Sequence, residues 1–493
     1  MPCCRAATGG SRMTQPAISA TEADAGPPEL KRTLGAFSLT MIGVGGIIGA
    51  GIFVYAGTAA AEHAGPAVVV SFAIAATGCF FCGLCYAEFA AMIPQSGSAY
   101  TYAYATMGRF MAWFIGWNLV LEYLVSAAGV GAGWSGYFVS LLNDIGLRFP
   151  AAFASAPLDG TGFSNLHFTG AYFNAPAVAL IAMLTAFLVV GVRESANFNG
   201  LMVLVKTGIV VLVILFGLPF VQAGNLKPFL PPNTGQWGHF GVSGVLAASG
   251  IAFFAYLGFD SVSVAAQEAR NPQKNLPIGI LASLFVCTAL YILMAVVLTG
   301  ITDWRTLDVT NPVSFAVEKI AGLKWLVLPI DLGAAVGLAS VTFVSLYGQS
   351  RIFYVMARDG FLPRTFSAVH PRFRTPHLGT LIVGGFAALL AAFFPFDVLA
   401  DLVSIGTLMA FTAVCVGILI LRVKAPRARR AFRTPWVWLV APAGVACCLL
   451  MMYSLSVATW IRLVLWTGIG LVFYLIYGRH RAAPAKWQVE NES

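Results

Sequence analysis

The most constraining stretch of the chain runs from Thr33 to Ala61, TLGAFSLTMIGVGGIIGAGIFVYAGTAAA. It is apolar and longer than the roughly 20 residues that cross a bilayer at about 1.5 Å per residue. Its centre carries Gly43, Gly45, Gly46, Gly49 and Gly51, five glycines within nine positions. Each costs a helix about 1 kcal/mol relative to alanine, so the span is expected to come apart in its middle. Non-helical backbone at bilayer depth is tolerated only where it is buried in protein or lines a polar cavity. Glycines also serve close helix packing, which is the competing reading. A second glycine-interrupted span, GVLAASGIAFFAYLGFDSVSVAAQEARNPQKNLP with Gly250 and Gly258, favours a binding site built from two breaks.

Of the 493 residues, 58% are hydrophobic and only 10% charged, against about a quarter charged in soluble proteins. The composition therefore specifies a polytopic, all-α membrane protein. The net charge of +9 does not imply nucleic acid, because the basic residues fall in alternate loops between apolar spans. The nine cysteines make no disulfide framework. Cys79, Cys82 and Cys85 have metal-like spacing, but within an apolar helix they read as packing. No metal and no cofactor is expected. Met1 to Lys31 has no apolar core and reads as a disordered tail without a signal peptide; Cys3 and Cys4 lie in it.

Twelve spans are expected, near 35–60, 66–93, 108–142, 173–192, 198–221, 242–264, 277–301, 324–356, 377–395, 398–422, 435–456 and 458–478. Three longer polar segments, Asn143 to Ala171, Gln222 to Gly241 and Thr302 to Lys324, fall on one side. The other side holds most of the basic residues, among them Arg351, Arg358, Arg422, Arg427 and Arg433. Both termini are therefore expected in the cytoplasm. The glycine-broken first and sixth spans lie five helices apart, the pattern of an inverted repeat of five plus five spans. The expected division is a cytoplasmic tail over 1–32, a repeat core over 33–422, two peripheral spans with their basic loop over 423–478, and a tail over 479–493.

A broken helix exposes amides at the start of one half and carbonyls at the end of the other; the first suits a carboxylate, the second an ammonium. Together they fit the head of an α-amino acid. The expected amide donors are Gly49, Ala50 and Gly51, and the expected carbonyls those of Ile47 or Ile48. Phe254, Ala255 and Leu257 mark the break in the sixth span, Phe254 as pocket wall or as ordinary core. Intramembrane ionisable residues are functional candidates: Glu88, Glu122, Lys206, Asp260, Asp331 and Asp401. An ammonium at Lys206, deep in an apolar run, must be paired, hydrated or neutral. It reads either as a proton carrier or as a fixed strut. Glu122 reads as a substrate contact or as an acceptor for a neighbouring helix.

The runs IGVGGIIGAGIF, GWNLVLEY, FFAYLGFDSVSVAAQEARNPQKNLPIGI and LYGQSRIFYVMARDGFLP resemble the amino acid–polyamine–organocation superfamily, nearest its cationic amino acid transporter branch. The resemblance covers nearly all of residues 33 to 422. It implies a LeuT-like fold, with Lys206 at the fifth-helix lysine position that replaces a sodium site, and a proton-coupled importer or exchanger in the plasma membrane. Glu122 and Asp260 fall on motif positions of that branch. Two positions depart from it. Ala50 stands where many relatives have Ser or Thr, and Ser345 where many have Met, which would enlarge the pocket for arginine or lysine.

A secondary transporter for amino acids, with protons as partner, is the leading expectation; exchange with amino acids or polyamines is the alternative. A transport-inactive sensor would add a soluble module, a channel needs no twin breaks, and an enzyme would want a catalytic cluster. The six histidines are scattered near loops and there is no Walker motif. The sequence leaves monomer or dimer open.

Overall fold

The computed structural model describes residues 32–144, 146–159, 167–309, 311–453, 455 and 457–479. Both expected tails, apart from Arg32 and Arg479, lie outside them, as do Cys3, Cys4, His480 and the side chain of Asp401. The described residues are almost wholly helical, with one small hairpin pairing Leu158–Asp159 with His167–Phe168. Seven helical stretches among them are long and apolar enough to cross a membrane, and five more apolar helices are shorter. Each expected span overlaps one of these stretches, the first covering Ala36–Ile47 and running on into Gly51–Met92.

The shorter ones are informative. Helix α1 (Ala36–Ile47) and helix α8 (Gly241–Ala255) are the first halves of the two glycine-interrupted spans. Between them in the chain come α2 (Val68–Met92), α3 (Ala99–Met107), α4 (Arg109–Val120), α5 (Ser126–Asp144), α6 (Ala175–Val190) and α7 (Val192–Gly217). After α8 follow α9 (Ser261–Val264), α10 (Pro272–Ile301), α11 (Pro312–Glu318), α12 (Val327–Arg358), α13 (His377–Phe393), α14 (Phe396–Lys424), α15 (Val437–Tyr453) and α16 (Val457–Phe473). Helices α3 and α11 fall in segments expected as loops.

The glycines of the first span divide between the two readings. Gly43, Gly45 and Gly46 stay helical and serve approach: a Cβ on Gly43 would lie 2.4 Å from Ser283 Oγ, and one on Gly45 2.9 Å from Asn199 Nδ2. The break comes after them. Ile48 turns extended (φ −73°, ψ 105°) and helical geometry resumes at Ala50. In the second interrupted span α8 ends at Ala255, and Tyr256 to Asp260 form turns before α9.

The two breaks cross with little between them. A Cβ on Gly258, which adopts φ +114°, would sit 2.6 Å from the Gly46 carbonyl carbon, and one on Gly51 2.2 Å from the Ala255 Cβ. Real carbon contacts run near 3.5–4.0 Å, so only glycine fits at both crossings. Helix α10 packs against α1 and α2, and α12 against α5 and α7. At one end of the bundle the chain entering α1 joins the end of the sixth span: the Thr33 and Leu34 amides donate to the Glu268 carbonyl, and Arg270 donates back to Leu34.

Candidate functional site

Where the breaks cross lies a small cavity of about 30 Å³. Its lining includes Ile47, Gly49, Ala50, Gly51, Glu122, Phe254, Leu257, Asp260 and Ser345. Ile48, Ala255 and Lys206 do not line it. The physical reason is that their polar atoms are used inside the protein. The Ile48 carbonyl accepts from Lys206 Nζ at 2.5 Å. The Ala255 carbonyl accepts from the Tyr291 hydroxyl at 2.9 Å, and the same hydroxyl lies 2.7 Å from the Ile47 carbonyl. Tyr291, on α10, thus clasps the carbonyl end of each broken helix.

Ile52 and Phe53 already donate to the Gly49 carbonyl, whereas the Ala50 and Gly51 amides, the first after the break, have no intrahelical acceptor by construction. They give the cavity an anion-favouring floor. The wall opposite is apolar, formed by Val130, Val341 and Val344. Phe254 meets Tyr55 edge to face with ring centroids 5.2 Å apart.

Lys206 is fully buried. Its three ammonium hydrogens find three acceptors: Gly45 O at 2.8 Å, Ile48 O at 2.5 Å and Ser340 Oγ at 3.2 Å. Ser340 lies 3.0 Å from Asn199 Oδ1. No carboxylate appears among these partners. The lysine therefore ties the carbonyl end of α1 to α7 and α12, behind the cavity floor.

On the cavity's other side Glu122 sits in a π-helical turn, Leu121–Val125, inserted between α4 and α5. Such single turns re-aim side chains and recur at functional sites. Glu122 neighbours Asp260 and Thr407, but neither of its buried oxygens has a well-formed hydrogen bond. Asp260 accepts from the Tyr123 hydroxyl and from Ser98 Oγ at 3.4 Å. Ser98 holds a left-handed backbone (φ 49°) just ahead of α3, a conformation rare for a non-glycine residue. Two buried carboxyl groups side by side with so few donors can share a proton or receive a cation.

Farther along, Glu268 pairs with Arg351 Nη2 at 3.0 Å with both side chains fully buried, and Tyr347 donates to the same carboxylate. Glu88 is likewise buried, with Arg422 at 2.7 Å and Arg430 at 3.0 Å. Asp331, half-buried, accepts from Ser314 at 2.5 Å. Among the described residues no group of three His, Cys, Asp or Glu side chains is placed to hold a metal ion.

Sequence reasoning passed over Tyr123, Ser98, Asn199, Ser340 and Tyr291. Tyr123 could have been found beside Glu122 in GWNLVLEY. Tyr291 lies in an unbroken apolar run, CTALYILMAVV, and nothing local marks it.

A helical membrane bundle with a cavity at two crossing helix breaks has the form of a small-molecule permease. The chain belongs to the amino acid permease family, whose model matches residues 34–477. It is 44% identical over 450 residues to the methylthioribose transporter of Bacillus subtilis, covering 91% of this chain and 94% of that one. The branched-chain amino acid permease BcaP of the same organism is 43% identical over 458 residues, with 93% and 95% covered. The vacuolar cationic amino acid transporter 4 of Arabidopsis thaliana is 37% identical over 409 residues, covering 81% of this chain and 65% of that one. The resemblance to the superfamily holds, with two bacterial permeases standing above this cationic transporter in identity.

Proposed function

We propose that this protein is a secondary active transporter that carries α-amino acids across the plasma membrane in company with protons. In this reading the twelve apolar segments all cross the bilayer as a five-plus-five inverted repeat over residues 33–422. The spans of 423–478 lie at its edge and both ends face the cytoplasm. The observation that carries it is the cavity at the crossing of two helix breaks, with the Ala50 and Gly51 amides and Ile47 in its lining. The Ala50 and Gly51 amides receive the carboxylate, and the Ile47 carbonyl takes the ammonium. Ser345 and the valine wall meet the side chain. Lys206, behind the floor, holds α1 in place through Ile48, so a change in its protonation would reach the site through the backbone.

The apolar wall suits aliphatic side chains, and the name of BcaP agrees with that. Glu122, with unfilled acceptor capacity at the cavity edge, gives a cationic side chain a counter-charge, so arginine and lysine are included. A second reading comes from the methylthioribose transporter: the same cavity would admit a thioether sugar, which carries neither ammonium nor carboxylate. Competition separates them. Purified protein is screened by thermal unfolding against leucine, arginine, an amino acid amide, the matching decarboxylated amine and methylthioribose. A bound ligand at a hundred times its dissociation constant adds about 2.7 kcal/mol, a readable shift. Protection by amino acids but not by the amide or amine supports the reading. Protection by the amine moves the substrate class to polyamines, and protection by methylthioribose alone replaces it with the second reading.

A further inference from the structure

At the end of the bundle where α2 and α14 finish, the chain crosses from α14 to α15 through KAPRARRAFRTPW. Between 422 and 433 it carries six basic residues, Arg422, Lys424, Arg427, Arg429, Arg430 and Arg433. No aspartate or glutamate occurs from 402 to 489. A carboxylate from elsewhere reaches the cluster, the buried Glu88 of α2. It pairs with Arg422 and Arg430 and also accepts from the Thr434 amide at 2.7 Å. Arg430 meanwhile donates to the Ala425, Pro426 and Ala428 carbonyls at 2.7–3.1 Å. The loop is thus folded tightly around one guanidinium, with Arg422 and Arg433 crowding it electrostatically. Arg427 and Arg433 remain exposed.

Apolar side chains crowd the same edge. Trp436 is 82% exposed, Val423 70%, and Trp438 and Leu439 65% each. Trp436 also takes a left-handed backbone (φ 41°), an arrangement rare for a bulky residue. Tryptophans at the ends of apolar helices sit at headgroup level in a bilayer. The guanidiniums beside them therefore lie at the depth of lipid phosphates.

We propose that this loop is a binding surface for anionic phospholipid, with Arg427 and Arg433 meeting the headgroup phosphate and Trp436 and Trp438 anchoring beside its glycerol and upper acyl region. Charge complementarity decides the occupant: clusters of four to eight basic residues next to a membrane helix attract anionic lipid by about fivefold in affinity per residue. None of its residues lines the cavity.

The test uses the full chain in detergent, titrated with phosphatidylglycerol or phosphatidylcholine in mixed micelles and followed by thermal unfolding. Phosphatidylglycerol is expected to protect at lower concentration than phosphatidylcholine, and the difference to shrink as salt rises. R427Q/R433Q should bind phosphatidylglycerol about twenty-five-fold more weakly, two steps of about fivefold, with unchanged unfolding in the absence of lipid. If that variant unfolds early, the salt titration of the unmodified protein and the single variant Trp436→Ala decide. Equal protection by the two lipids at all salt concentrations overturns the proposal, as does unchanged affinity in R427Q/R433Q. Protection by inorganic phosphate equal to that by phosphatidylglycerol also overturns it, by making the surface a soluble-anion site.

Discussion

Replacing Gly51 with alanine tests the crossing of the two breaks with a single methyl group. The new Cβ would lie 2.2 Å from the Ala255 Cβ and 2.4 Å from its Cα. Ordinary carbon contact begins near 3.5 Å, so the segments must separate by roughly 1.1–1.3 Å. Part of the obstacle is backbone, and no rotamer change relieves it. Overpacking of this kind costs about 1–3 kcal/mol. The same displacement stretches the Tyr291 bridge, now 2.7 Å to Ile47 and 2.9 Å to Ala255, beyond hydrogen-bond range for one carbonyl, which adds about 1–3 kcal/mol. The expected loss is about 2–6 kcal/mol, partly in stability and partly in ligand affinity. Gly385→Ala is the control, because its Cβ would meet nothing within 4 Å; helix propensity then predicts a gain of up to about 1 kcal/mol. Thermal unfolding with and without an amino acid ligand reads both quantities. A Gly51→Ala protein that unfolds and binds like its parent would refute the close crossing.

Ser345→Met fills the side-chain end of the cavity and should weaken long substrates more than alanine or glycine, by about 1–3 kcal/mol per methylene excluded; an equal loss for all sizes would remove Ser345 from the pocket wall. Glu268→Ala leaves Arg351 charged and buried and should cost about 3–5 kcal/mol, read by thermal unfolding. Much of that loss should be absent in the double variant Glu268→Gln/Arg351→Met, and an additive loss would speak against a direct pair. Lys206→Met keeps the apolar stem but leaves the Ile48 carbonyl without its donor, about 1–3 kcal/mol, while the Gly45 carbonyl keeps the Ser340 hydroxyl at 3.2 Å. Unchanged thermal unfolding of that variant would argue against the tripod.

Much of the architecture was legible in the chain because bilayer length and glycine placement are local properties. The apolar runs located the helices, and the second interruption coincided with the end of α8 at Ala255. Within the first interruption the physics was finer. Gly43, Gly45 and Gly46 face Ser283, Asn199 and Gly258, so their small size is used for packing, and the break waits until Ile48. Ile48 and Ala255 were expected at the ligand, yet Lys206 and Tyr291 occupy their carbonyls. Which donor reaches a freed carbonyl depends on helices 158 and 36 residues away in the chain, and no spacing rule encodes that. Helices α3 and α11 were missed because the tyrosine-rich YTYAYATM and the short PVSFAVE lack a long apolar run.

The most direct test of proton-coupled amino acid transport is uptake of a radiolabelled ligand from the thermal screen into proteoliposomes, with sodium absent and the membrane potential clamped. An inside-alkaline pH gradient is expected to drive accumulation that the parent protein shows and Lys206→Ala loses, while ligand binding without a gradient persists in the variant. Uptake by the parent protein that requires sodium and ignores the pH gradient would contradict it.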